Sequence, residues 1–142
     1  MPSTKLADCH TGLANAWIWI RETYHAQHPG HELIITCTHR PQEEQYALYC
    51  KGRRQLVDGS WVIDDDPKTA IVTNCDGYKV QSNHNKMPAR AIDFAVILPG
   101  GKVSWDPREY EPVGVLAENH GLVWGGRWTS IKDYPHIEVR TA

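Results

Sequence analysis

The chain has 142 residues, of which 41% are hydrophobic and 23% charged, and its formal net charge at pH 7 is −2. This length and composition are typical of one globular domain and exclude a disordered chain. The small net charge gives no electrostatic basis for binding nucleic acid, and the apolar runs are too short to cross a membrane. The first ten residues lack an apolar core, so no secretory signal peptide is expected.

The first half of the chain predicts a helix, a strand and a second helix. Residues 5–27 carry apolar side chains at steps of three, four and seven, the pattern of an amphipathic helix, and HPGH ends it. Residues 32–38, ELIITCT, are short, apolar and β-branched, which predicts a buried strand. A second helix is expected over residues 40–53, with Thr38 as a candidate cap and Gly52 at its end.

Pro41 suits the first turn of this second helix. Residues 58–68 then predict a loop that contains three adjacent aspartates. These aspartates lack the alternating oxygen ligands of a calcium loop, so a solvated acidic turn is the preferred interpretation.

The second half of the chain predicts a hairpin, a helix and short strands. Residues 90–98, RAIDFAVIL, indicate a strand, and PGG turns the chain back into KVSW. Residues 107–121 predict a helix that Pro112 either splits or delays, with Gly121 at its C-terminal cap. The short segments LVW and HIEV complete the chain as strands. Helices at the front and short strands behind predict an α+β fold.

The four cysteines contain no C-x-x-C pair, which argues against a cysteine zinc knuckle; they are Cys9, Cys37, Cys50 and Cys75. Because no secretory signal is seen, we expect a reducing compartment and free thiols.

Two of the eight histidines have acidic neighbours that suggest chemistry. His84 precedes Asp93, which lies between core residues of a predicted strand and therefore needs a partner such as a metal or an arginine. Asp133 lies three residues before His136. Two histidines and a carboxylate with an open fourth position form a catalytic zinc set. Residue types and spacing leave two interpretations open: this metal site, or a salt-bridged strand aspartate with two unrelated histidines.

Three blocks of the sequence resemble the M15 metallopeptidases, which include D-alanyl-D-alanine carboxypeptidases and dipeptidases and phage L-alanyl-D-glutamate peptidases. SNHNKMPARAIDF, residues 82–94, is similar to the family's S-x-H…A-x-D segment. WGGRWTSIKDYPHIEV, residues 124–139, resembles its closing segment, and THRPQEEQYALYCKGR, residues 38–53, resembles its arginine and glutamine block. The blocks occur in the family's order, and the resemblance extends from the first helix to the last strand.

The resemblance implies a single compact α+β domain of the Hedgehog/DD-peptidase-like kind, in which helices flank a small antiparallel sheet. It implies that His84, Asp93 and His136 bind Zn²⁺ and that Asp133 is the catalytic carboxylate. Two departures from the family pattern are present. Many members have six residues between the first histidine and the aspartate, whereas this chain has eight, the extra length falling at KMPA. The catalytic carboxylate is a glutamate in many relatives, and the aspartate here resembles the phage branch.

The resemblance also implies substrate roles for four further residues. Arg40 is expected to stabilise the developing oxyanion or bind a substrate carboxylate, with a salt bridge to a glutamate as the alternative. Gln45 is expected to bind substrate, and Ser82 either binds a substrate carboxylate or caps its loop. Trp128, like Trp124, is a candidate wall of the substrate groove, with core packing as the alternative.

The activity that the resemblance implies is zinc-dependent hydrolysis of peptidoglycan stem peptides, at the L-alanyl-D-glutamate bond. A phage lysin is expected, monomeric, made in the host cytoplasm and acting on the cell wall after release. It would consist of one peptidase domain over residues 1–142, without a wall-binding domain, and bind neither nucleic acid nor, stably, membranes. The alternatives are a D-alanyl-D-alanine carboxypeptidase and a non-catalytic wall-binding module of the same fold.

Overall fold

A computed structural model describes residues 2–63 and 71–140 of the chain. Within these ranges the helices are α1 (Thr11–Gln27), α2 (Gln42–Cys50) and α3 (Pro107–Asn119). The strands are β1 (Glu32–Cys37), β2 (Arg53–Gln55), β3 (Trp61–Ile63), β4 (Ala91–Ile97), β5 (Val103–Ser104), β6 (Leu122–Trp124) and β7 (His136–Val139). The predicted acidic turn at residues 64–66 lies outside the described residues.

An antiparallel sheet forms the centre of the fold. Its strands lie in the order β1-β4-β7-β6, and β5 pairs with β4 after the PGG turn, as predicted. The register places Asp93 opposite Cys37 of β1 on one side and opposite His136 of β7 on the other. The α+β class with an antiparallel sheet and helices is therefore confirmed.

One face of β4 carries the core. Ile92, Phe94 and Val96 alternate along the strand and belong to the apolar cluster that α1 and α3 complete. The Phe94 ring lies 5.7 Å from Trp17 of α1 and 5.5 Å from Tyr110 of α3, between ring centroids. Because side chains of a strand alternate between faces, Asp93 points to the opposite side of the sheet, away from this core.

The first helix begins later than predicted. Leu6–Asp8 form a short 3₁₀ turn, and α1 starts at Thr11. The residues before Thr11 pair instead with a distant segment. The N–H of His10 donates to the carbonyl of Ala89 at 2.8 Å, and the N–H of Ala89 donates to the carbonyl of Asp8 at 2.7 Å. The His10 side chain then caps the helix by accepting from the N–H of Gly12.

Two expectations about helix ends were wrong. Thr38 does not cap α2, whose N-cap position is occupied by Pro41, and the Thr38 hydroxyl has no hydrogen-bond partner within the described residues. Pro112 neither splits nor delays α3, which runs through it from Pro107. Buried neighbours of this helix contribute packing that offsets the loss of one backbone hydrogen bond at a proline.

Part of the predicted loop at 58–68 is a strand. β3 pairs with β2 in a separate two-stranded sheet. The connecting turn is closed by the carboxylate of Asp58, which accepts hydrogen bonds from the backbone N–H and hydroxyl of Ser60 at 2.9 and 2.6 Å. Within the described residues, none of the helices has the length and apolarity needed to span a membrane.

Candidate metal centre

Three side chains from distant parts of the chain converge on the face of the sheet opposite the core. His84 comes from the loop before β4, Asp93 from the middle of β4 and His136 from the start of β7. Asp93 Oδ1 lies 3.0 Å from His84 Nε2 and 2.9 Å from His136 Nδ1, and these two nitrogens are 3.3 Å apart. Both imidazoles are buried.

The opposite nitrogen of each ring is held by an acceptor. His84 Nδ1 lies 2.7 Å from the carbonyl oxygen of Thr38, and His136 Nε2 lies 2.7 Å from Glu138 Oε1. A carbonyl or carboxylate oxygen can only accept, so each of these nitrogens carries the hydrogen. In its neutral form each histidine therefore turns a lone pair toward Asp93, which is the arrangement found at metal-ligating histidines.

This donor set fits a zinc ion. Neutral imidazole nitrogen and carboxylate oxygen are common zinc ligands, held at about 2.0–2.2 Å. Two atoms at that distance from one tetrahedral ion are themselves about 3.3 Å apart. The separations of 2.9–3.3 Å among the three atoms are close to this value.

The charges of the cluster favour a cation. Burial lowers the pKa of His84, but the charge of Asp93 and its hydrogen bond outweigh burial and raise the pKa to about 10. Burial also opposes the charged form of His136, whose hydrogen bonds to Asp93 and Glu138 raise its pKa to about 9. Burial acts to raise the pKa of Asp93, yet His84 and His136 hold that pKa well below its usual range. The carboxylate thus stays ionised and attracts positive charge.

Asp133 lies at the edge of this cluster. Its Oδ2 is 3.7 Å from His136 Nδ1, and its side chain is 41% exposed. Burial and the nearby charge of Asp93 raise the pKa of its carboxyl group. It is therefore close enough to exchange protons with a molecule bound at the cluster.

The Trp-Gly-Gly block sets the position of Asp133. The Asp133 N–H donates to the carbonyl of Gly125 at 3.1 Å, and a Cβ at Gly125 would overlap the Asp133 carbonyl oxygen. The indole N–H of Trp124 donates to the carbonyl of Tyr134 at 2.8 Å. Trp124 itself is buried in the core, so for this tryptophan the core alternative holds.

Arg40 and Gln45 form one hydrogen-bonded unit. Arg40 Nη2 lies 3.2 Å from Asp93 Oδ2, and Nη1 donates to Gln45 Oε1 at 2.8 Å. The acidic partner of Arg40 is thus the aspartate of the cluster. Gln45 is 1% exposed, and its amide nitrogen donates to Thr73 Oγ1 and to the carbonyl of Cys75. Both ends of the Gln45 amide are used by the protein.

Ser82 and Trp128 also border the site. Ser82 Oγ accepts the N–H of His84 at 3.2 Å, a contact that orders the loop, and its hydroxyl hydrogen has no acceptor among the described residues. The ring of Trp128 lies 5.0 Å from that of His136, between centroids. Both residues line a cavity of about 830 Å³ that opens over the cluster.

Two neighbours of the cluster were missed from the sequence, Cys37 and Glu138. Cys37 Sγ is 3.6 Å from His84 Nδ1 and, with His84 and Asp93, forms a second group of potential metal ligands. No local signal identifies Cys37, because its place depends on the register of β1 against β4. Glu138 could have been found, since residues two apart on a strand share a face.

Comparisons with known proteins show which family and fold this chain is similar to. Residues 76–139 match an M15 peptidase family model described as D-alanyl-D-alanine carboxypeptidase. The chain is 32% identical over 124 residues to peptidoglycan L-alanyl-D-glutamate endopeptidase CwlK of Bacillus subtilis strain 168, a match that covers 80% of this chain. The chain spans 64% of the length of CwlK.

A similar solved structure is the L-Ala D-Glu endopeptidase ChiX of Serratia marcescens. The TM-score is 0.61 at 20% identity, over 99% of this chain and 90% of ChiX. At this identity the likeness establishes the shared fold.

The α+β fold with a two-histidine, one-aspartate cluster defines a domain that is built around a candidate metal centre. Over residues 76–139 the chain is similar to the M15 peptidase family, as its three sequence blocks indicated.

Proposed function

We propose that this protein is a zinc-dependent peptidase of peptidoglycan that hydrolyses the bond between L-alanine and D-glutamate in stem peptides. One observation carries the proposal: His84, Asp93 and His136 direct three donor atoms to one point, and both histidines are hydrogen-bonded from behind. The choice of bond rests on the relatives CwlK and ChiX, which are described as endopeptidases for this bond.

The cluster residues His84, Asp93 and His136 would hold the ion. Zinc, when bound, polarises a substrate carbonyl and lowers the pKa of a bound water to about 7. The two histidines would contribute nitrogen lone pairs as ligands, and Asp93 would contribute an ionised carboxylate.

Asp133 is proposed as the general base and acid. Its carboxylate is close to His136 and partly exposed to the cavity. It would accept a proton from the attacking water and deliver it to the nitrogen of the leaving amine. The raised pKa of Asp133 makes its carboxylate a stronger base, which takes the proton from the water more readily.

Arg40 is proposed to stabilise negative charge that develops on the substrate oxygen. A guanidinium cannot lose its proton near neutral pH, so Arg40 keeps its positive charge in every step. Gln45, whose amide is already used, is inferred to position Arg40 rather than to contact the substrate.

Ser82 and Trp128 are proposed to contact the substrate. The free hydroxyl hydrogen of Ser82 can be donated to a substrate oxygen, and the flat ring of Trp128 provides an apolar wall. These roles follow from their places on the cavity wall.

A second candidate is D-alanyl-D-alanine carboxypeptidase activity, which the description of the matching family model favours. The two activities share the same metal centre and differ in the bond that is cut. An action as a phage lysin, made in the host cytoplasm as a monomer, is a further part of the proposal and rests on the sequence resemblance. Clearing of outer-membrane-permeabilised cells tests the lytic part.

Product analysis tests the proposal directly. Purified protein would be incubated with muropeptides, with and without a chelator, and with zinc restored after chelation. We expect fragments with a new L-alanine carboxyl terminus and a new D-glutamate amino terminus by mass spectrometry, lost with chelator and recovered with zinc. Release of free D-alanine would instead identify the carboxypeptidase. Binding without any product would identify the non-catalytic module.

A further inference from the structure

Three cationic side chains line the described part of the cavity: Arg40, Lys86 and Lys132. Arg40 Nη2 forms an ion pair with Asp93 Oδ2 at 3.2 Å. Lys132 is exposed, and its Nζ lies 3.5 Å from the carbonyl oxygen of Gly126. Lys86 is half-buried, and the described ranges 2–63 and 71–140 contain no hydrogen-bond or ion-pair partner for it. Among the described residues of the cavity wall, Lys86 is therefore the cationic side chain without a partner.

The carboxylates of the cavity wall do not account for Lys86. Those in the described residues are Asp93, Asp133 and Glu138, and each has a partner other than Lys86 at 3.7 Å or less. An ammonium group partly removed from water without a counter-charge costs free energy. An anionic ligand that enters the cavity would recover that cost.

Lys86 lines the same cavity as the metal cluster. It follows His84 by two residues and stands at the start of KMPA, where this chain has extra length between its first histidine and its aspartate. His84 is itself fixed by Thr38 and Asp93, so the segment that carries Lys86 is anchored at the cluster.

The proposed substrate, on which this inference depends, has an anionic group next to the bond that is cut. D-glutamate continues the stem peptide through its γ-carboxyl group, so its α-carboxylate stays free. That carboxylate is attached to the carbon that bears the scissile nitrogen. We propose that Lys86 binds the free α-carboxylate of D-glutamate and so selects substrates that carry the acid over those that carry the α-amide.

Binding measurements separate this inference from the reaction itself. The zinc-loaded Asp133→Ala protein would be titrated calorimetrically with L-alanyl-γ-D-glutamyl-L-lysine and with the same peptide carrying an α-carboxamide. We expect the acid to bind about tenfold or more tightly than the amide, because a hydrogen bond to a charged group is stronger than one between neutral groups. Adding Lys86→Met should bring this ratio close to one.

Two control variants show that charge at this position is the cause. Lys86→Arg, in the same background, should keep most of the preference for the acid. Lys79→Met removes an exposed lysine that does not line the cavity, and it should leave the ratio unchanged. Zinc content and thermal melting of each variant establish that it is folded.

The inference about Lys86 is overturned if the acid and the amide bind equally to the Asp133→Ala protein, if neither binds, or if Lys86→Met leaves the ratio intact. The reaction is judged separately, by cleavage of the acid peptide with wild-type protein. Cleavage with a binding ratio of one would retain the proposed reaction and remove the role of Lys86. A lysine-dependent ratio without cleavage would retain D-glutamate binding and remove the reaction.

Discussion

At the scale of single residues, the cluster is organised by what lies behind each imidazole. Thr38 offers a backbone carbonyl to His84, whereas Glu138 offers a charged carboxylate to His136. The backbone contact survives any substitution that keeps β1 in place. The contact between His136 and Glu138 depends on the Glu138 side chain. That side chain also accepts a hydrogen bond from Asn83 Nδ2 at 2.8 Å.

Glu138→Gln should therefore weaken zinc binding while leaving the three donors intact. The glutamine can still accept from His136, but it lacks the charge that makes the imidazole a better ligand, and it disturbs the contact with Asn83. We expect zinc affinity to fall about 10–100-fold, measured by competition with a chromophoric chelator. Glu22→Gln, on the exposed surface of α1, is the control. Unchanged affinity in Glu138→Gln would show that Glu138 does not support His136.

Asp133→Ala should separate turnover from metal binding. The variant retains the three donors, and the carboxylate it removes is half-exposed and 3.7 Å from the nearest imidazole. We expect about one zinc per chain by elemental analysis, with kcat lower by about 10²–10⁴-fold. Asp133→Glu, which restores a carboxylate, should regain part of the activity. Normal turnover by Asp133→Ala would remove Asp133 as the base.

At the scale of elements, strand register determines which side chains meet. Asp93 faces Cys37 across β1 and His136 across β7, so a shift of one residue in β4 would turn Asp93 into the core and Ile92 or Phe94 toward the site. The alternation of apolar residues in β4 excludes that shift, because it would expose the residues that α1 and α3 cover. The packing of the core and the geometry of the site are thus set by the same register.

The turn after β6 has an equally specific role, which Gly125→Ala tests. An added methyl group would overlap the Asp133 carbonyl oxygen and displace that segment. Because a displacement near 1 Å can cost about 100-fold in rate, we expect kcat to fall about that far while zinc content stays near one per chain. Gly12→Ala, at the start of α1, provides a comparison with a small effect. Wild-type kcat in Gly125→Ala would contradict the proposed positioning.

At the scale of the whole molecule, core and site occupy opposite faces of one sheet. The apolar cluster is formed by α1, α3 and the inner face of the sheet, and it includes none of the proposed metal ligands. Removal of zinc should consequently leave the fold in place and change the charge balance of the outer face. In the metal-free protein, protons on the two imidazoles supply the positive charge beside Asp93. The pKa is raised to about 10 for His84 and to about 9 for His136.

Zinc affinity should therefore rise with pH across the neutral range. Zinc must displace the protons that the histidines hold, and raising the pH toward 9 removes these competitors. We expect the apparent affinity to increase at least about tenfold per pH unit between pH 6 and 8, one factor of ten for each proton released. Chelator competition at several pH values measures this slope. An affinity independent of pH would show that the imidazoles are unprotonated before zinc binds.

The sequence by itself determined the class of fold, and it predicted most of the residues that the structure brings together at the candidate site. Periodicity predicted α1, β1, β4 and α3 because apolar side chains must be buried on one face of each element. The two histidines and two aspartates were identified from their neighbours and from the three family-like blocks.

Only the tertiary structure decided where these residues meet and what supports them. The start of α1 depends on a backbone pairing with Ala89, the commitment of Gln45 depends on Thr73 and Cys75, and the place of Cys37 depends on strand register. These contacts join residues far apart in the chain. Local preferences act over a few neighbouring residues, so they cannot specify such contacts, which form when the core brings the elements together.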